Sequence, residues 1–170
     1  MAGKDISLKT QEGTFNYRVG AIIINGDSVL MAKNSGSPHY YSVGGRVRFG
    51  ESLHESVKRE AYEETKLLLE LDRLAYIHEN FFLWGLEQIP FHEVAFFYLF
   101  KPSGQIAGQS FDNLCEEYGQ VFLRWLPISQ LDDFHIYPEF FKTELGILQN
   151  GSSKDVRHFV TKEGVTCRLL

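Results

Sequence analysis

Three glutamates on one predicted helix are the residues of this sequence best placed to do chemistry. Glu60, Glu63 and Glu64 are three and four residues apart, so a helix brings their carboxylates to adjoining positions on its surface. Like charges at that distance repel one another, and a buried carboxylate destabilises the fold unless another charge compensates it. Arg59 can pair with Glu63 at i, i+4, but one guanidinium cannot neutralise three carboxylates. A divalent cation can, and hard oxygen ligands favour Mg²⁺ or Mn²⁺.

The position of Glu64 on the helix bears on the choice between a metal site and an ordinary solvated surface. At about 100° per residue, Glu64 falls within the apolar stripe of the helix. We expect that stripe to consist of Leu53, Val57, Ala61 and Leu68. Most glutamate-rich helices simply face solvent, and the spacing alone leaves that alternative open. A carboxylate inside the apolar stripe favours the metal site.

The loop before the helix combines glycines with arginines. Gly44 and Gly45 directly follow a short predicted strand, and glycines there permit close approach of the backbone to a ligand. Arg46 and Arg48 offer donors that suit phosphate oxygens. A plain glycine-rich connection with two surface arginines would show the same residues. Together with a helix carrying three carboxylates, the loop predicts a site for a metal-bound phosphate chain.

The elements that must position these residues alternate irregularly between strand and helix patterns. Ser52 and Glu55 form a capping-box pair, which predicts that a helix begins there and ends near Leu67. An Asn25-Gly26 turn predicts a hairpin. The predicted strands are 15–24, 28–32, 40–43, 68–82, 93–100 and 119–126, and a second helix is predicted over 138–149. This order predicts a mixed sheet between helices.

The composition is that of a single globular domain. The chain has 170 residues, of which 44% are hydrophobic and 23% charged, and these values exclude a disordered chain. We expect neither a membrane span nor a secretory signal, since no apolar run is long enough. Two cysteines exclude a disulfide scaffold, so we expect a cytoplasmic protein. Because 22 acidic residues outnumber 17 basic ones, nucleic acid is not an expected partner.

The segment from Gly45 to Leu67 resembles the Nudix box. That pattern is G, five residues, E, seven residues and then R-E-U-x-E-E-x-G-U, where U is a bulky aliphatic residue. The positions in register are Gly45, Glu51, Arg59, Glu60, Glu63, Glu64 and Leu67. Ala61 replaces a bulky aliphatic residue, and Lys66 stands where the family has glycine, so the end of the helix departs from the pattern. All the carboxylates of the pattern are retained.

The resemblance implies an α/β fold of the Nudix type, an α/β/α sandwich around a mixed β-sheet. We expect this domain over residues 15–149, with an N-terminal extension over 1–14 and a C-terminal extension over 150–170 that forms a hairpin packed on it. The resemblance implies a small-molecule nucleotide substrate and Mg²⁺-dependent hydrolysis of the pyrophosphate bond in a nucleoside diphosphate linked to another moiety. That class includes nucleotide sugars, ADP-ribose-like compounds and nucleoside triphosphates. The alternative is a non-catalytic Nudix-fold module that senses a nucleotide, and the resemblance allows a homodimer.

The resemblance also implies roles for single residues. The implied metal-binding set is Gly45, Glu51, Glu60, Glu63 and Glu64. Glu60 and Glu64 would be the principal ligands, and Glu63 would share the metal or orient Arg59. Among the catalytic residues, Arg59 would act more through structure than through chemistry.

The general base and the base-stacking residue are defined less closely. The general base is either Glu63 or an acid outside the box. Glu117, which precedes the predicted 119–126 strand, is such an acid, although a solvated loop residue is an equal alternative. Glu93 is a weaker candidate. Trp84, Phe81 or Phe82 could stack on the nucleotide base, beside the phosphate-binding arginines already named, although aromatic residues in such runs more often belong to the core.

Overall fold

A single mixed sheet with a helix on each face makes up the described part of the protein. The computed structural model describes residues 3–104, 121–152, 154–162 and 165–168, and for 165–168 it describes the backbone alone. The strands are β1 (Ser7–Lys9), β2 (Thr14–Ile22), β3 (Ile24–Asn25), β4 (Ser28–Asn34), β5 (Tyr40–Arg46), β6 (Leu71–Trp84), β7 (Ile89–Phe100), β8 (Val121–Pro127), β9 (Ile136–Tyr137), β10 (Arg157–Lys162) and β11 (Val165–Arg168). The helices are α1 (Leu53–Thr65), a 3₁₀ helix (Ile128–Asp133) and α2 (Phe141–Gln149). No described helix is both long enough and apolar enough to cross a membrane.

The sheet mixes parallel and antiparallel pairs. Its strand order is β11-β10-β6-β7-β2-β5-β4-β3, with β1 added beside β2, β8 beside β4 and β9 beside β5. Strand β2 runs parallel to β7, β6 runs parallel to β10, and β5 runs parallel to β9. The long β6 and β7 form an antiparallel hairpin. This arrangement confirms the predicted α/β fold with a mixed sheet between helices.

The strand before the Asn25-Gly26 turn pairs mostly with distant strands. Gly26 has φ +57°, as a tight hairpin turn requires, and Asn25 pairs back onto β4. The longer β2, however, pairs with β5 on one side and β7 on the other. The predicted hairpin is therefore correct at its turn and wrong over most of its length, because β2 is completed by non-local partners.

Strand β5 continues through both glycines of the loop. Gly44 and Gly45 pair with Gly20 and Val19 of β2, so the prediction that the strand stops at residue 43 is wrong. Gly44 has φ +145°, and a Cβ at this position would lie 2.3 Å from the Val19 carbonyl oxygen. The glycines thus allow close packing of two strands as well as approach to a ligand.

Two apolar clusters, one on each face, form the core. Val57 and Ala61 of α1 are fully buried against one face, as the helical stripe predicts. On the other face, Phe140 and Phe141 at the start of α2 pack against aromatic rings of the central strands. The sheet is therefore covered by α1 and α2 on opposite sides, with the candidate site on the α1 side.

Helix α1 begins and ends at defined caps. Ser52 is its N-cap, and its N–H donates to Glu55 Oε2 at 2.8 Å while Ser52 Oγ accepts from the Glu55 N–H at 3.3 Å. The helix ends at Thr65, and its C-cap Lys66 has a left-handed φ of 59°, a conformation that glycine usually adopts. Leu68 lies beyond this end and is 80% exposed, so its predicted place in the buried stripe is wrong. Thr65 is buried near the end of the helix.

Segments on both sides of the predicted 15–149 domain join the same sheet. Strand β1 pairs with β2, and β10 adds a parallel strand beside β6 before turning back into β11. Arg157 of β10 makes a buried ion pair with Glu144 of α2. This pair connects the C-terminal strands to the helix on the far face.

Candidate active site

Arg59 lies at the centre of the carboxylates of α1 and the preceding loop. Its Nε and Nη2 donate to the two oxygens of Glu51 at 2.6 and 2.9 Å. Its Nη1 donates to Glu60 Oε1 at 2.6 Å and to Glu63 Oε2 at 3.1 Å, and its Nη2 also donates to the Arg46 carbonyl oxygen at 3.1 Å. The hydrogen bonds from Arg59 hold the pKa of Glu51 at about 2. One guanidinium therefore fixes the loop and helix carboxylates relative to each other.

Glu60 lies directly against Gly45. A Cβ at Gly45 would lie 2.5 Å from the Glu60 carboxyl carbon, so any larger residue would displace this carboxylate from its present position. Burial raises the pKa of Glu60, while the adjacent Arg59 opposes that shift. The close contact places a carboxylate beside the backbone of Gly45.

Glu64 is the most strongly perturbed acid in the described residues. Its Oε1 accepts from the Gly44 N–H at 3.4 Å, and its Oε2 is shielded from solvent. Burial raises the pKa of Glu64 to about 8, and the neighbouring Glu60 charge adds to the increase. Added positive charge beside this carboxyl group would favour its ionised form.

The donor set of this site fits a hard divalent cation. Glu60 and Glu64 bring partly buried carboxylates to Gly44 and Gly45, and Glu63 lies next to them. All are oxygen donors of the type that Mg²⁺ and Mn²⁺ prefer. Within the described residues, no three His, Cys, Asp or Glu side chains already stand in a ready coordination geometry. In this arrangement Arg59 holds Glu60 and Glu63, so cation binding would require these carboxylates to turn away from the guanidinium.

The two loop arginines share an acidic partner that the sequence analysis did not identify. Arg48 lies 3.6 Å from one oxygen of Asp5, and Arg46 lies 3.9 Å from the other. Arg48 also lies 3.5 Å from Glu63 Oε1, and Arg46 Nε donates to Asn16 Oδ1 at 3.2 Å. The N-terminal segment before β1 thus contacts both predicted phosphate-binding residues. Its Asp5 had no recognisable pattern around it in the sequence.

A further arginine, Arg18, acts on the site from the middle of β2. Its Nη1 lies 3.1 Å from Glu93 Oε2, which also accepts from Asn16 Nδ2 at 3.0 Å. The positive charge of Arg18 acts to lower the pKa of Glu64, against the larger effect of burial. In the sequence, Arg18 is distinguished by being a charged residue within an apolar predicted strand. Glu93, the weaker base candidate, is thus held by two partners.

Two of the predicted site residues are not brought to the carboxylates by the described structure. Trp84 pairs with Ile89 at the tip of the β6–β7 hairpin and is 64% exposed. It lies seven residues, or about 23 Å, along β6 from Ile77, the β6 residue in register with Gly45, at about 3.3 Å per residue. Glu117 lies outside the described residues.

Comparison with known proteins identifies a family and several solved structures with a similar fold. A model of the NUDIX domain matches residues 14–143. The mutator MutT protein from Bacillus halodurans has 16% identity and a TM-score of 0.57, covering 90% of this chain and 97% of its own. The MutT protein from Methanosarcina mazei Go1 has 19% identity and a TM-score of 0.52, covering 86% and 100%. A UDP-X diphosphatase has 18% identity and a TM-score of 0.58, covering 89% and 70%. At these identities the likeness is one of fold.

Proposed function

Because the chain belongs to the NUDIX domain family, whose members hydrolyse nucleoside diphosphate derivatives, we propose that it cleaves the pyrophosphate bond of a nucleoside diphosphate linked to another moiety. The observation that carries this proposal is the partly buried pair Glu60 and Glu64 at the Gly44–Gly45 backbone. Burying two acids together is unfavourable for stability alone, but it suits a site that binds a cation and an anionic substrate.

The cation in this proposal is Mg²⁺ or Mn²⁺, held by Glu60, Glu63, Glu64 and the Gly45 carbonyl oxygen. When bound, such a cation neutralises phosphate charge and acidifies a water molecule. Both oxygens of Glu51 accept from Arg59, and one also accepts from the Arg48 N–H at 3.1 Å. We therefore propose that Glu51 orients Arg59 and is not a direct ligand of the cation.

The remaining residues bind and orient. Arg46 and Arg48, with Arg18 behind them, would draw the diphosphate towards the carboxylates, since guanidinium groups pair with phosphate oxygens. Glu63 has a side chain that is 42% exposed, against 14% for Glu60, so it is the glutamate better placed to accept a proton from an attacking water. In-line displacement at phosphorus depends chiefly on such positioning.

The test is a panel of nucleotide pyrophosphates incubated with Mg²⁺ or Mn²⁺. We expect the wild-type protein to release a phosphate-containing product, and Glu64→Gln to lower kcat by about 100-fold or more with the melting temperature kept. Glu70→Gln is the matched control, because Glu70 is exposed and pairs only with Lys101 among its described contacts. Nucleotide binding without cleavage of any panel member would instead favour the sensing module.

A further inference from the structure

Two of the arginines near the candidate site stand side by side on paired strands. Arg18 of β2 and Arg46 of β5 are direct partners in the antiparallel register, so their side chains leave the same face of the sheet. Arg48 follows in the loop, two residues beyond Arg46. Like charges directly opposite each other destabilise a sheet, so this arrangement suits the binding of an anion better than it suits stability alone.

Acidic residues compensate these arginines within the described part of the chain. Glu93 Oε2 lies 3.1 Å from Arg18 Nη1. Asp5 Oδ1 lies 3.6 Å from Arg48 Nε, and Asp5 Oδ2 lies 3.9 Å from Arg46 Nη1. Asp5 is therefore the acid that the two loop arginines share. Its side chain is 41% exposed, so it also faces the solvent from which a substrate arrives.

Main-chain pairing holds Asp5 beside the loop. An isolated β-bridge joins Asp5 to Arg48. The next residue, Ile6, donates its N–H to the Val47 carbonyl oxygen at 2.8 Å, so the segment before β1 pairs with the loop backbone. The carboxylate of Asp5 is therefore held next to the loop arginines by backbone contacts that do not involve the arginine side chains.

The orientation of Arg46 has a support that does not depend on Asp5. Asn16 is 1% exposed, and its Oδ1 accepts from Arg46 Nε at 3.2 Å and from Ser7 Oγ at 2.8 Å. Asn16 Nδ2 donates to Glu93 Oε2 at 3.0 Å. The Asp5 oxygens, by contrast, lie beyond hydrogen-bond distance of both loop arginines. Asp5 thus acts on these arginines chiefly through its charge.

The other described acids next to these arginines have different surroundings. Glu63 Oε1 lies 3.5 Å from Arg48 Nη1, but Glu63 is a ligand in the proposed cation site, where the cation would offset its charge. Glu93 is largely covered, with 15% of its side chain exposed. Asp5 is therefore the acid whose charge an incoming phosphate chain would meet at the loop.

We propose that Asp5 limits how much negative charge a substrate brings to the loop arginines, and so selects among phosphate-containing substrates by charge. The inference rests on the proposed function, because it concerns the arginines that would draw the diphosphate. A fixed carboxylate repels an incoming anion, and the repulsion grows with each charge on that anion. A diphosphate esterified at both ends carries about two negative charges fewer than a nucleoside triphosphate, so Asp5 disfavours the triphosphate. Asp5 precedes the residues 14–143 that match the family model, so this selection comes from a segment outside the matched domain.

The experiment compares a nucleoside triphosphate with a diphosphate of the same nucleoside esterified at both ends, each with Mg²⁺. Asp5→Asn keeps the shape of the side chain and removes its charge. It is expected to raise kcat/KM for the triphosphate relative to the diester by about 3–10-fold, the effect of one charge on two others about 8 Å away in a water-like medium. The change should appear in KM, and it should decrease as the ionic strength rises.

Two further variants separate charge from structure. Asp5→Glu keeps the charge and should keep the wild-type ratio of the two substrates. Glu12→Gln is the matched control, because Glu12 is exposed in the turn between β1 and β2, at the end of β1 that lies away from Asp5. It removes the same charge from the same N-terminal segment and should leave the ratio unchanged.

A binding measurement makes the test independent of cleavage. Where one compound is cleaved and the other is not, the second is measured as a competitive inhibitor of the first. Where neither is cleaved, the proposed hydrolysis fails, and calorimetric titration with Mg²⁺ should show that Asp5→Asn tightens binding of the triphosphate by about 3–10-fold more than binding of the diester. Equal changes for both compounds, weaker binding of both, or an unchanged ratio in Asp5→Asn would overturn the inference. Failure of both compounds to bind would overturn it together with the proposed function.

Discussion

Adding one methyl group at Gly45 gives a direct test of the proposed catalytic geometry. In Gly45→Ala the new Cβ would lie 2.5 Å from the carboxyl carbon of Glu60, whereas ordinary contact begins at 3.4 Å. The Glu60 carboxylate must therefore move by 3.4 − 2.5 = 0.9 Å. Because the obstructing atoms are the end of a flexible side chain, the backbone can keep its path. The main effect of Gly45→Ala should therefore be to displace the Glu60 carboxylate.

The expected loss of activity is large and the expected loss of stability moderate. Displacing a catalytic group by about 1 Å can cost about 100-fold in rate, so kcat on the best substrate of the nucleotide panel should fall by about that factor. Overpacking costs about 1–3 kcal/mol, or a few degrees of melting temperature for each kcal/mol. The variant should therefore remain folded at assay temperature. Gly36→Ala is the matched control, because its added Cβ would have no neighbour within 4 Å.

A second measurement tests cation binding in the absence of substrate, through the melting temperature. At a concentration about 100 times its Kd, a cation that binds only the folded chain stabilises it by about 2.7 kcal/mol, which is roughly 5–10 °C for a chain of this length. Wild type and Gly36→Ala should show this rise with Mg²⁺ or Mn²⁺, and Gly45→Ala should lose most of it. If Gly45→Ala kept the cation-induced rise in melting temperature and a rate within about threefold of wild type, the contact between Gly45 and Glu60 would not determine where the cation binds.

Three further predictions concern stability, each measured by chemical denaturation. Arg157→Met should lower the free energy of unfolding by about 3–5 kcal/mol, because it leaves the Glu144 carboxylate buried without its partner. The double variant Arg157→Met/Glu144→Leu should recover most of that loss. A loss below about 1 kcal/mol in Arg157→Met would contradict this prediction. Burial lowers the pKa of His78 to about 4 from 6.5, so the unfolded chain takes up a proton first as the pH falls. The contribution of His78 to the free energy of unfolding is thus complete above pH 6.5 and decreases by about 3 kcal/mol towards pH 4. His78→Gln should flatten that part of the profile of stability against pH. An unchanged profile would show that His78 does not cause this pH dependence. Lys66→Gly should stabilise by up to about 1 kcal/mol, since glycine adopts the left-handed φ of 59° without strain, and a loss would show that the lysine contacts matter more.

Local patterns in the sequence were sufficient to predict helix α1 and its acidic cluster. The Ser52–Glu55 capping box and the i, i+4 pair of Arg59 with Glu63 depend on residues that are close in the chain, and both are present. The end of α1 was harder to predict, because Lys66 adopts a conformation that glycine usually takes. Leu68 was consequently placed on the wrong side of the helix end.

Contacts between distant segments were beyond the reach of those patterns. Asp5 and Arg18 approach the site only because β1 and β2 pass beside the loop that precedes α1. The histidines His92 and His158 show no ligand spacing in the sequence, and strand pairing alone brings them to Glu79. Periodicity reports which face of an element is buried, but it does not report which strands lie side by side.

The parallel pairing of β10 with β6 has a consequence for the order of folding. The β6–β7 hairpin joins neighbouring segments and can close early, whereas β10 must return to β6 across most of the domain before it gains any contact. Phe159, which stacks on Phe140 at 4.2 Å, completes the aromatic core only in that late step. We therefore expect an amide-exchange experiment during refolding to protect β6 and β7 before β10. The strand that brings the C-terminal segment into the sheet would then be the last of the three to form.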